Sequence, residues 1–225
     1  MSAQKINMLR PGFDQRAKWL QELLEAAEAK ATWRNAVQGM VADLEGAVNR
    51  LEDAQRKAWQ VMQDPTLAPE YKQQRAAEVV AEAREAGLAT VGEVMERAAD
   101  LRKVLWGAVV PPPPKGMSEA ALLDAKADLV RYLDSVPSEG LVKAMLEALG
   151  EALRDGDAAA AYWLGQVGWL RFYLRARGVD PATYENNILN VLPESPAKRL
   201  LTGGLLDGPN GLYACVTLAK AMLEG

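Results

Sequence analysis

The chain has no histidine and only one cysteine among its 225 residues. Histidine is the commonest general base and the commonest metal ligand, so its absence removes many enzyme mechanisms. A single cysteine excludes an intrachain disulfide and a cysteine-rich zinc site, and it is typical of a reducing compartment. Cys215 lies in the apolar stretch "LYACVTLAKAML". It is predicted to be a small buried side chain, because no histidine is present to activate its thiol.

Long hydrophobic runs and an excess of basic residues are also missing. No stretch reaches the roughly 20 apolar residues of a membrane span, and the amino terminus "MSAQKINMLRPGFDQ" lacks the apolar core of a signal peptide. We therefore expect a cytoplasmic protein. The formal charge of -4 provides no general attraction to nucleic acid, so any such contact would have to be local.

The usual sequence motifs of catalysis are absent as well. The chain contains no HExxH, CxxC or GxSxG pattern, and the glycines at 203, 204, 208 and 211 lack the lysine of a phosphate-binding loop. These glycines predict turns between helices. Glutamates at helical spacing alternate with lysine and arginine, as on solvated faces: Glu22, Glu25, Glu28, Glu78, Glu82 and Glu85. The sequence predicts no enzyme, no cofactor and no metal site.

What the chain does contain is helical periodicity. Apolar residues recur every three or four positions between Phe13 and Met62, which predicts a helix with one buried stripe. The segment has no proline between Pro11 and Pro65, so the helix is expected to run for about 50 residues, or about 75 Å. Gly39 and Gly46 mark the places where it could bend or break.

A second long helix is predicted from Pro69 to Trp106, after a turn near residues 63–70. In this turn Asp64 can accept backbone hydrogen bonds, and Pro69 suits the first turn of a new helix. Residues 1–107 are therefore predicted to form a long antiparallel hairpin. Such a hairpin buries only a narrow seam, so it needs a partner surface from the carboxyl-terminal half or from other copies.

Four consecutive prolines in "WGAVVPPPPKGMS" predict a semi-rigid linker at residues 108–116, although the same residues could serve as an SH3-domain ligand. A compact multi-helix domain is predicted over residues 117–225. Its helices are expected to begin at Ser118, Ser138, Asp157, Asp180, Ser195 and about Leu212. No run of alternating β-branched residues is long enough for a strand, so the predicted fold class is all-α.

The segment "AAAAYWLGQVGWLRFYLRARG", residues 158–178, is predicted as one helix that is apolar nearly all round. It can be a central core helix, an interfacial membrane helix or a surface that docks a partner. Tryptophan, tyrosine and arginine dominate interface energetics. The candidate partner-binding residues are therefore Trp163, Trp169, Tyr173, Arg171 and Arg175. Together with Lys198 and Arg199, the arginines could instead hold nucleic-acid phosphates.

The stretch "WQVMQDPTLAPEYKQQRAAEVVAEARE", residues 59–85, resembles helical virion and head-assembly proteins of tailed bacteriophages. In those proteins a charged helix, a turn with two prolines or acids, and an Ala/Glu/Arg-rich helix follow one another. The residues that carry the resemblance are Asp64, Pro65, Leu67, Pro69, Glu70 and Tyr71. It covers less than a fifth of the chain, does not extend beyond Pro111 and transfers no binding residue. It implies a non-enzymatic structural role in a particle or its assembly, in the host cytoplasm or the virion.

Two functions are therefore expected. The first is a structural or assembly protein whose hairpin contacts neighbouring subunits in a homo-oligomer or a larger assembly. The second is a cytoplasmic adaptor or regulator that binds one protein through residues 158–178. The first predicts ordered assemblies and the second predicts one-to-one complexes.

Overall fold

The computed structural model describes residues 2–224, with side chains from Gln4 onward. Within these residues all regular structure is helical, which confirms the all-α prediction. The helices are α1 (Ser2–Ala26), α2 (Ala31–Gln63), α3 (Pro69–Val109), α4 (Glu119–Asp134), α5 (Leu141–Asp155), α6 (Ala158–Gly165), α7 (Val167–Ala176), α8 (Pro181–Val191), α9 (Pro196–Thr202) and α10 (Leu212–Glu224). A 3₁₀ turn at Ser138–Gly140 precedes α5.

The described chain forms two compact units. One contains the residues up to Val104 together with those from Arg199 onward, and the other is Leu105–Lys198. This division differs from the sequence-based one at 107 and 116, because α10 packs against α1 and α2. The apolar face of α10 is fully buried there, as shown by Cys215, Ala219 and Met222.

The predicted continuous helix between Phe13 and Met62 is wrong, because the chain reverses between α1 and α2. The break falls at Glu28, which has a left-handed φ of 53°. The amide of Glu28 donates to the Glu25 carbonyl and that of Ala29 to the Leu24 carbonyl, the two bonds of a Schellman motif. Glycine usually occupies this position. Because a glutamate stands here instead, the local sequence does not mark the end of α1. At its other end, α1 begins at Ser2 and continues through Pro11.

Replacing Glu28 with glycine is expected to raise the free energy of unfolding by about 0.5–1 kcal/mol, because glycine adopts the left-handed conformation without a Cβ penalty. The exposed ion pair between Glu28 and Arg199 would be lost, at little cost. Urea unfolding measures the effect, and Glu25→Gly within α1 is the matched control that should destabilise. A loss of stability in Glu28→Gly would contradict this account of the break.

Helices α2 and α3 are joined by residues 64–68. Asp64 accepts hydrogen bonds from the amide and hydroxyl of Thr66, at 2.8 and 2.6 Å, which lowers the pKa of its carboxyl group. Across the pair, Arg97 donates to Asp43. Gly87 of α3 lies close to α10, because a Cβ on Gly87 would be 2.6 Å from Leu223 Cδ2.

Cys215 lies in the core of the first unit, as predicted, and its burial raises the pKa of the thiol from 9.0 to about 11. The folded state favours the neutral thiol, so this contribution to stability is complete below pH 9 and is lost as the pH rises to 11. The loss is about 1.4 kcal/mol per pH unit, or about 2–3 kcal/mol in total. Urea unfolding between pH 8 and 11 should therefore show a shallower alkaline loss in Cys215→Ala. Equal losses in both proteins would contradict the prediction.

The glycine-rich segment between α9 and α10 forms a compact set of turns, as predicted. The amide of Gly208 donates to the Gly204 carbonyl, and that of Gly211 donates to the Gly208 carbonyl. The amides of Leu212 and Tyr213 at the start of α10 donate to carbonyls of Leu205 and Leu206. These amides are therefore engaged within the loop and do not point toward a phosphate.

The second unit packs α4 to α8 around buried leucines and Tyr184. Predicted caps at Ser118, Asp157 and Asp180 are confirmed, since each side chain accepts an amide hydrogen bond at the start of its helix. Pro111 and Pro114 of the proline segment are half-buried, whereas the two prolines between them are exposed. This spacing of three is that of polyproline II. A Cβ on Gly165 would lie 2.8 Å from the Pro111 ring.

Candidate protein-binding surfaces

The predicted single helix over residues 158–178 is wrong, because the chain breaks at Gln166 between α6 and α7. The break frees two backbone carbonyls that a continuous helix would have used. Trp163 O accepts hydrogen bonds from the Gln166 amide and from Trp169 Nε1, and Leu164 O accepts one from the Tyr184 hydroxyl at 2.7 Å. Side-chain donors therefore stabilise the break.

Three predicted site residues, Trp163, Trp169 and Tyr173, form one half-buried aromatic cluster. Ring centroids are 6.3 Å apart between the two tryptophans and 5.9 Å apart between Trp169 and Tyr173. Trp163 Nε1 donates to the Leu122 carbonyl, and Lys126 Nζ lies 4.6 and 4.8 Å from the two indole centroids. The cluster therefore fastens α6 and α7 to α4 through cation–π and hydrogen-bond contacts.

Tyr173 extends this network to the end of α4. Its hydroxyl donates to Asp134 Oδ1 at 2.8 Å, and Arg177 donates to the same carboxylate at 3.2 Å. Burial and the hydrogen bond to Asp134 raise the pKa of Tyr173. Arg177 also donates to the Val136 carbonyl at 2.7 Å. The contacts of Tyr173 are thus within the second unit.

The other two predicted site residues, Arg171 and Arg175, are exposed on α7. Arg171 binds Glu185 in a bidentate ion pair, whereas Arg175 forms no ion pair with the described residues. Between them lies Phe172, which is 76% exposed. Phe172 belongs to the segment that was predicted as one helix, apolar nearly all round. Phe172 comes four residues after Gly168 and three residues before Arg175, so these residues lie on one face of the helix. This spacing predicts the outer face for Phe172.

Lys198 and Arg199, the other proposed phosphate ligands, both have partners within the chain. Lys198 is buried, and its ammonium donates to the Leu192 carbonyl at 2.7 Å and pairs with Glu194 at 2.8 Å. Arg199 donates to Glu28 at 3.0 Å. A phosphate would have to compete with these contacts.

A second candidate surface lies in the first unit, at residues 55–86, which we call the hairpin tip. None of its residues is buried, although Ala54 and Gly87 on either side of it are. Three large apolar side chains are instead exposed: Trp59 by 66%, Met62 by 42% and Tyr71 by 53%. Apolar exposure of this kind marks protein interaction sites.

The hairpin tip carries an apolar seam. On α2, Ala58 and Met62 continue the helical line of the buried residues Leu51 and Ala54. On α3, a line of small side chains extends from Gly87 toward the turn. We call the five residues beyond the buried ones the open seam: Ala58, Met62, Ala76, Val80 and Ala83. Leu223 of α10 lies against Gly87, at which the line of small side chains on α3 begins.

A cleft of about 590 Å³ lies beside Trp59, between the first turns of α1 and the last third of α2. Its lining mixes apolar, amide and charged side chains: Ile6, Asn7, Glu52, Gln55, Arg56, Trp59 and Gln60. The indole is thus exposed on the flank of α2, next to a depression large enough to accept a side chain from another molecule.

Two further properties of the described residues bear on function. Among residues 2–224, no three histidine, cysteine, aspartate or glutamate side chains cluster closely enough to hold a metal ion. No helix in this part of the chain combines the length and the apolar character that crossing a membrane requires.

Comparisons of the chain with known protein families, with curated proteins and with solved structures each find no match.

Proposed function

We propose that this chain is a non-enzymatic structural or assembly protein that contacts neighbouring subunits through its hairpin tip. The observation that carries the proposal is the contrast within α2 and α3. Helix α2 up to Ala54 packs against α1 and α10, and α3 has buried side chains beyond Gly87, whereas the described residues 55–86 contain no buried side chain. Two helices alone gain little stability, so an uncovered pair of this length is suited to packing on another protein.

The exposed side chains of the hairpin tip are of the types that supply binding energy. Full burial of a large apolar side chain contributes roughly 1.5–3 kcal/mol. Trp59 and Tyr71 belong to the residue types that most often dominate interfaces, and Met62 adapts its shape to irregular surfaces. Together they provide enough apolar surface for an assembly contact.

The strongly shifted titratable groups support a non-enzymatic role. Burial raises the pKa of both Cys215 and Tyr184, and each side chain lies fully inside a core rather than in a cleft. Catalytic acids and bases normally combine a shifted pKa with access to substrate. Neither group has that access.

The kind of assembly we propose is a particle of the tailed-bacteriophage type, built in the host cytoplasm. The support is the resemblance over residues 59–85, which coincides with the hairpin tip. The residues that resemble phage assembly proteins are therefore the same residues that the first unit leaves uncovered.

Gradient sedimentation tests this proposal. The tagged full chain is expressed in the cells in which its particle assembles, and their lysate is sedimented. We expect the chain to migrate with species far larger than its own 24.4 kDa. The double variant Trp59→Ala/Tyr71→Ala should remain in the light fractions. The matched control is Phe172→Ala/Tyr132→Ala, which removes two exposed aromatic side chains from the second unit. Migration of the unaltered chain in the light fractions alone would contradict an assembly role.

A second candidate function is an adaptor that binds one protein through α7. The observation that favours it is the exposed Phe172 flanked by Arg171 and Arg175. Its binding face is therefore the outer side of α7, with the aromatic cluster of Trp163 behind it. The same experiment separates the two functions: the adaptor requires Phe172→Ala/Tyr132→Ala to lose its partner while Trp59→Ala/Tyr71→Ala keeps it.

A further inference from the structure

We propose that the indole rings of Trp163 and Trp169, which we call the indole corner, form a binding site for a quaternary ammonium ion. Residues 119–128, the first half of α4, are the lid that closes this site with a cation of the chain itself, Lys126. The inference goes beyond the proposed function, because it concerns the second unit and does not involve the hairpin tip.

The indole corner has the geometry of a cation site. Its two rings are nearly perpendicular, with an interplanar angle of 85° and centroids 6.3 Å apart. Lys126 Nζ lies 4.6 Å from the centroid of Trp163 and 4.8 Å from that of Trp169. A cation within about 6 Å of an aromatic centroid is attracted by the ring quadrupole, and such sites recognise quaternary ammonium ligands. Both rings of the corner therefore act on the same charge.

The chemistry of the corner favours a methylated cation over a primary one. Lys126 Nζ forms neither an ion pair nor a hydrogen bond with the described residues, so its N–H donors are left to solvent. A quaternary ammonium has no N–H donor and occupies two aromatic faces without leaving a donor unpaired. The corner therefore suits an organic cation that carries a trimethylammonium group.

A second contact defines the other end of the ligand. Trp163 Nε1 donates a hydrogen bond to the Leu122 carbonyl at 2.8 Å. Leu122 and Lys126 are four residues apart, so both lie on one face of the lid. The lid thus presents a cation and an oxygen acceptor to the corner. A ligand such as choline, which combines a trimethylammonium group with a hydroxyl oxygen, offers the same pair of groups.

The lid is lightly held. None of its residues is buried, whereas the second half of α4 has the buried side chains of Leu129 and Leu133. Residues 115–118, which precede the lid, are exposed as well. Segments with few buried apolar contacts open locally at a low free energy. The second half of α4 therefore keeps the helix attached while the lid opens and closes over the corner.

Lys126 and an external cation compete for the corner. Because both cannot lie between the same two rings, a bound ligand keeps the lid open. The closed lid in turn reduces the apparent affinity of the ligand by the fraction of molecules that are closed. Removing the charge of Lys126 is expected to open the lid and to strengthen ligand binding together.

Hydrogen exchange of the full chain tests the lid. In Lys126→Gln the amides of residues 122–128 should exchange roughly five- to thirtyfold faster, because two cation–π contacts are lost. Lys126→Arg keeps the cation and should retain slow exchange. Lys115→Gln is the matched control, since it makes the same charge change at an exposed position just before the lid. Exchange in α5 and α8 should be unchanged in all three variants.

Titration with choline tests the site. The indole N–H resonances of Trp163 and Trp169, assigned with the corresponding phenylalanine variants, should shift as choline is added. Lys126→Gln should bind choline roughly five- to thirtyfold more tightly than the unaltered chain. Sodium chloride at equal concentration is the control for ionic strength. Phosphatidylcholine vesicles form a separate arm, because a lipid headgroup carries the same cation as free choline.

The two measurements fail in different ways. Equal exchange of residues 122–128 in Lys126→Gln and the unaltered chain would show that the charge does not hold the lid, and it overturns the inference. If neither free choline nor the vesicles shift the two indole resonances of Lys126→Gln, the corner is not a ligand site, and the inference is overturned even when the lid opens. Shifts that are stronger in Lys126→Gln than in the unaltered chain support both the site and its lid.

Discussion

Replacing Gly211 with alanine is expected to lower the free energy of unfolding by about 3 kcal/mol or more. A Cβ at this position would lie 2.5 Å from the Gly204 carbonyl oxygen and 2.7 Å from that of Leu206. Both contacts are to backbone, which cannot rotate aside as a side chain can, so the loop itself must move. That movement would also break the hydrogen bonds that the Leu205 and Leu206 carbonyls make to the start of α10.

Hydrogen exchange of the α10 amides is the measurement that checks this, because it reports on the first unit alone. Gly92→Ala is the matched control, since a Cβ there meets no atom within 4 Å and the position is inside α3. It should stabilise by up to about 1 kcal/mol, because alanine has the higher helix propensity. If the α10 amides of Gly211→Ala exchange as slowly as those of the unaltered chain, the loop can rearrange without a loss of stability, which would contradict the prediction.

Replacing Tyr184 with alanine is expected to cost about 4 kcal/mol in the second unit. The side chain is fully buried in α8, where it supplies the largest buried volume of the chain's described core. Truncation removes the ring contacts and leaves a cavity, and aromatic residues in cores typically lose 3–5 kcal/mol when cut to alanine. Hydrogen exchange of the α5 and α8 amides measures the loss within this unit.

Tyr184→Phe separates the hydroxyl from the ring. It keeps the volume but removes the donor to the Leu164 carbonyl, and a buried carbonyl without a partner costs about 1–3 kcal/mol. The faster amide exchange should appear first in α6 and α7, because the Tyr184 hydroxyl supplies the hydrogen bond to the carbonyl that is left free where these two helices break. Tyr132→Phe, at a half-exposed tyrosine of the same unit, should change stability little. Identical α6 exchange in Tyr184→Phe and the unaltered chain would contradict this role for the hydroxyl.

The parts of the fold that could be predicted are those that depend on near neighbours in the sequence. The caps at Ser118, Asp157 and Asp180 bond amides two or three residues away, so a short pattern is sufficient to place them. The periodic stripe of α3 likewise needs only local spacing. These features determined the all-α class and most helix starts.

The breaks could not be predicted because their causes are distant or atypical. The break at Gln166 depends on Tyr184, whose hydroxyl bonds a carbonyl 20 residues earlier in the chain. Glu28 occupies a left-handed position that glycine usually marks. The pairing of α10 with α1 and α2 joins opposite ends of the described chain, and no local pattern encodes it.

The candidate site was predicted in part for the same reason. Residue type alone drew attention to the aromatic segment, but it could not show that Lys126 of α4 lies over Trp163 and Trp169. The exposure of Trp59 and Met62 in the hairpin tip depends on tertiary packing, which local spacing does not encode.

The placement of α10 in the first unit also sets the order in which the protein can mature during translation. The helices up to Val104 leave the ribosome first, yet the segment that completes their core begins only at Arg199. At 5–20 residues per second, the nascent chain waits roughly 5–20 s for it. Leu105–Lys198 can fold during that delay, while the apolar stripes of α1 and α2 stay available to chaperones until α10 is synthesised.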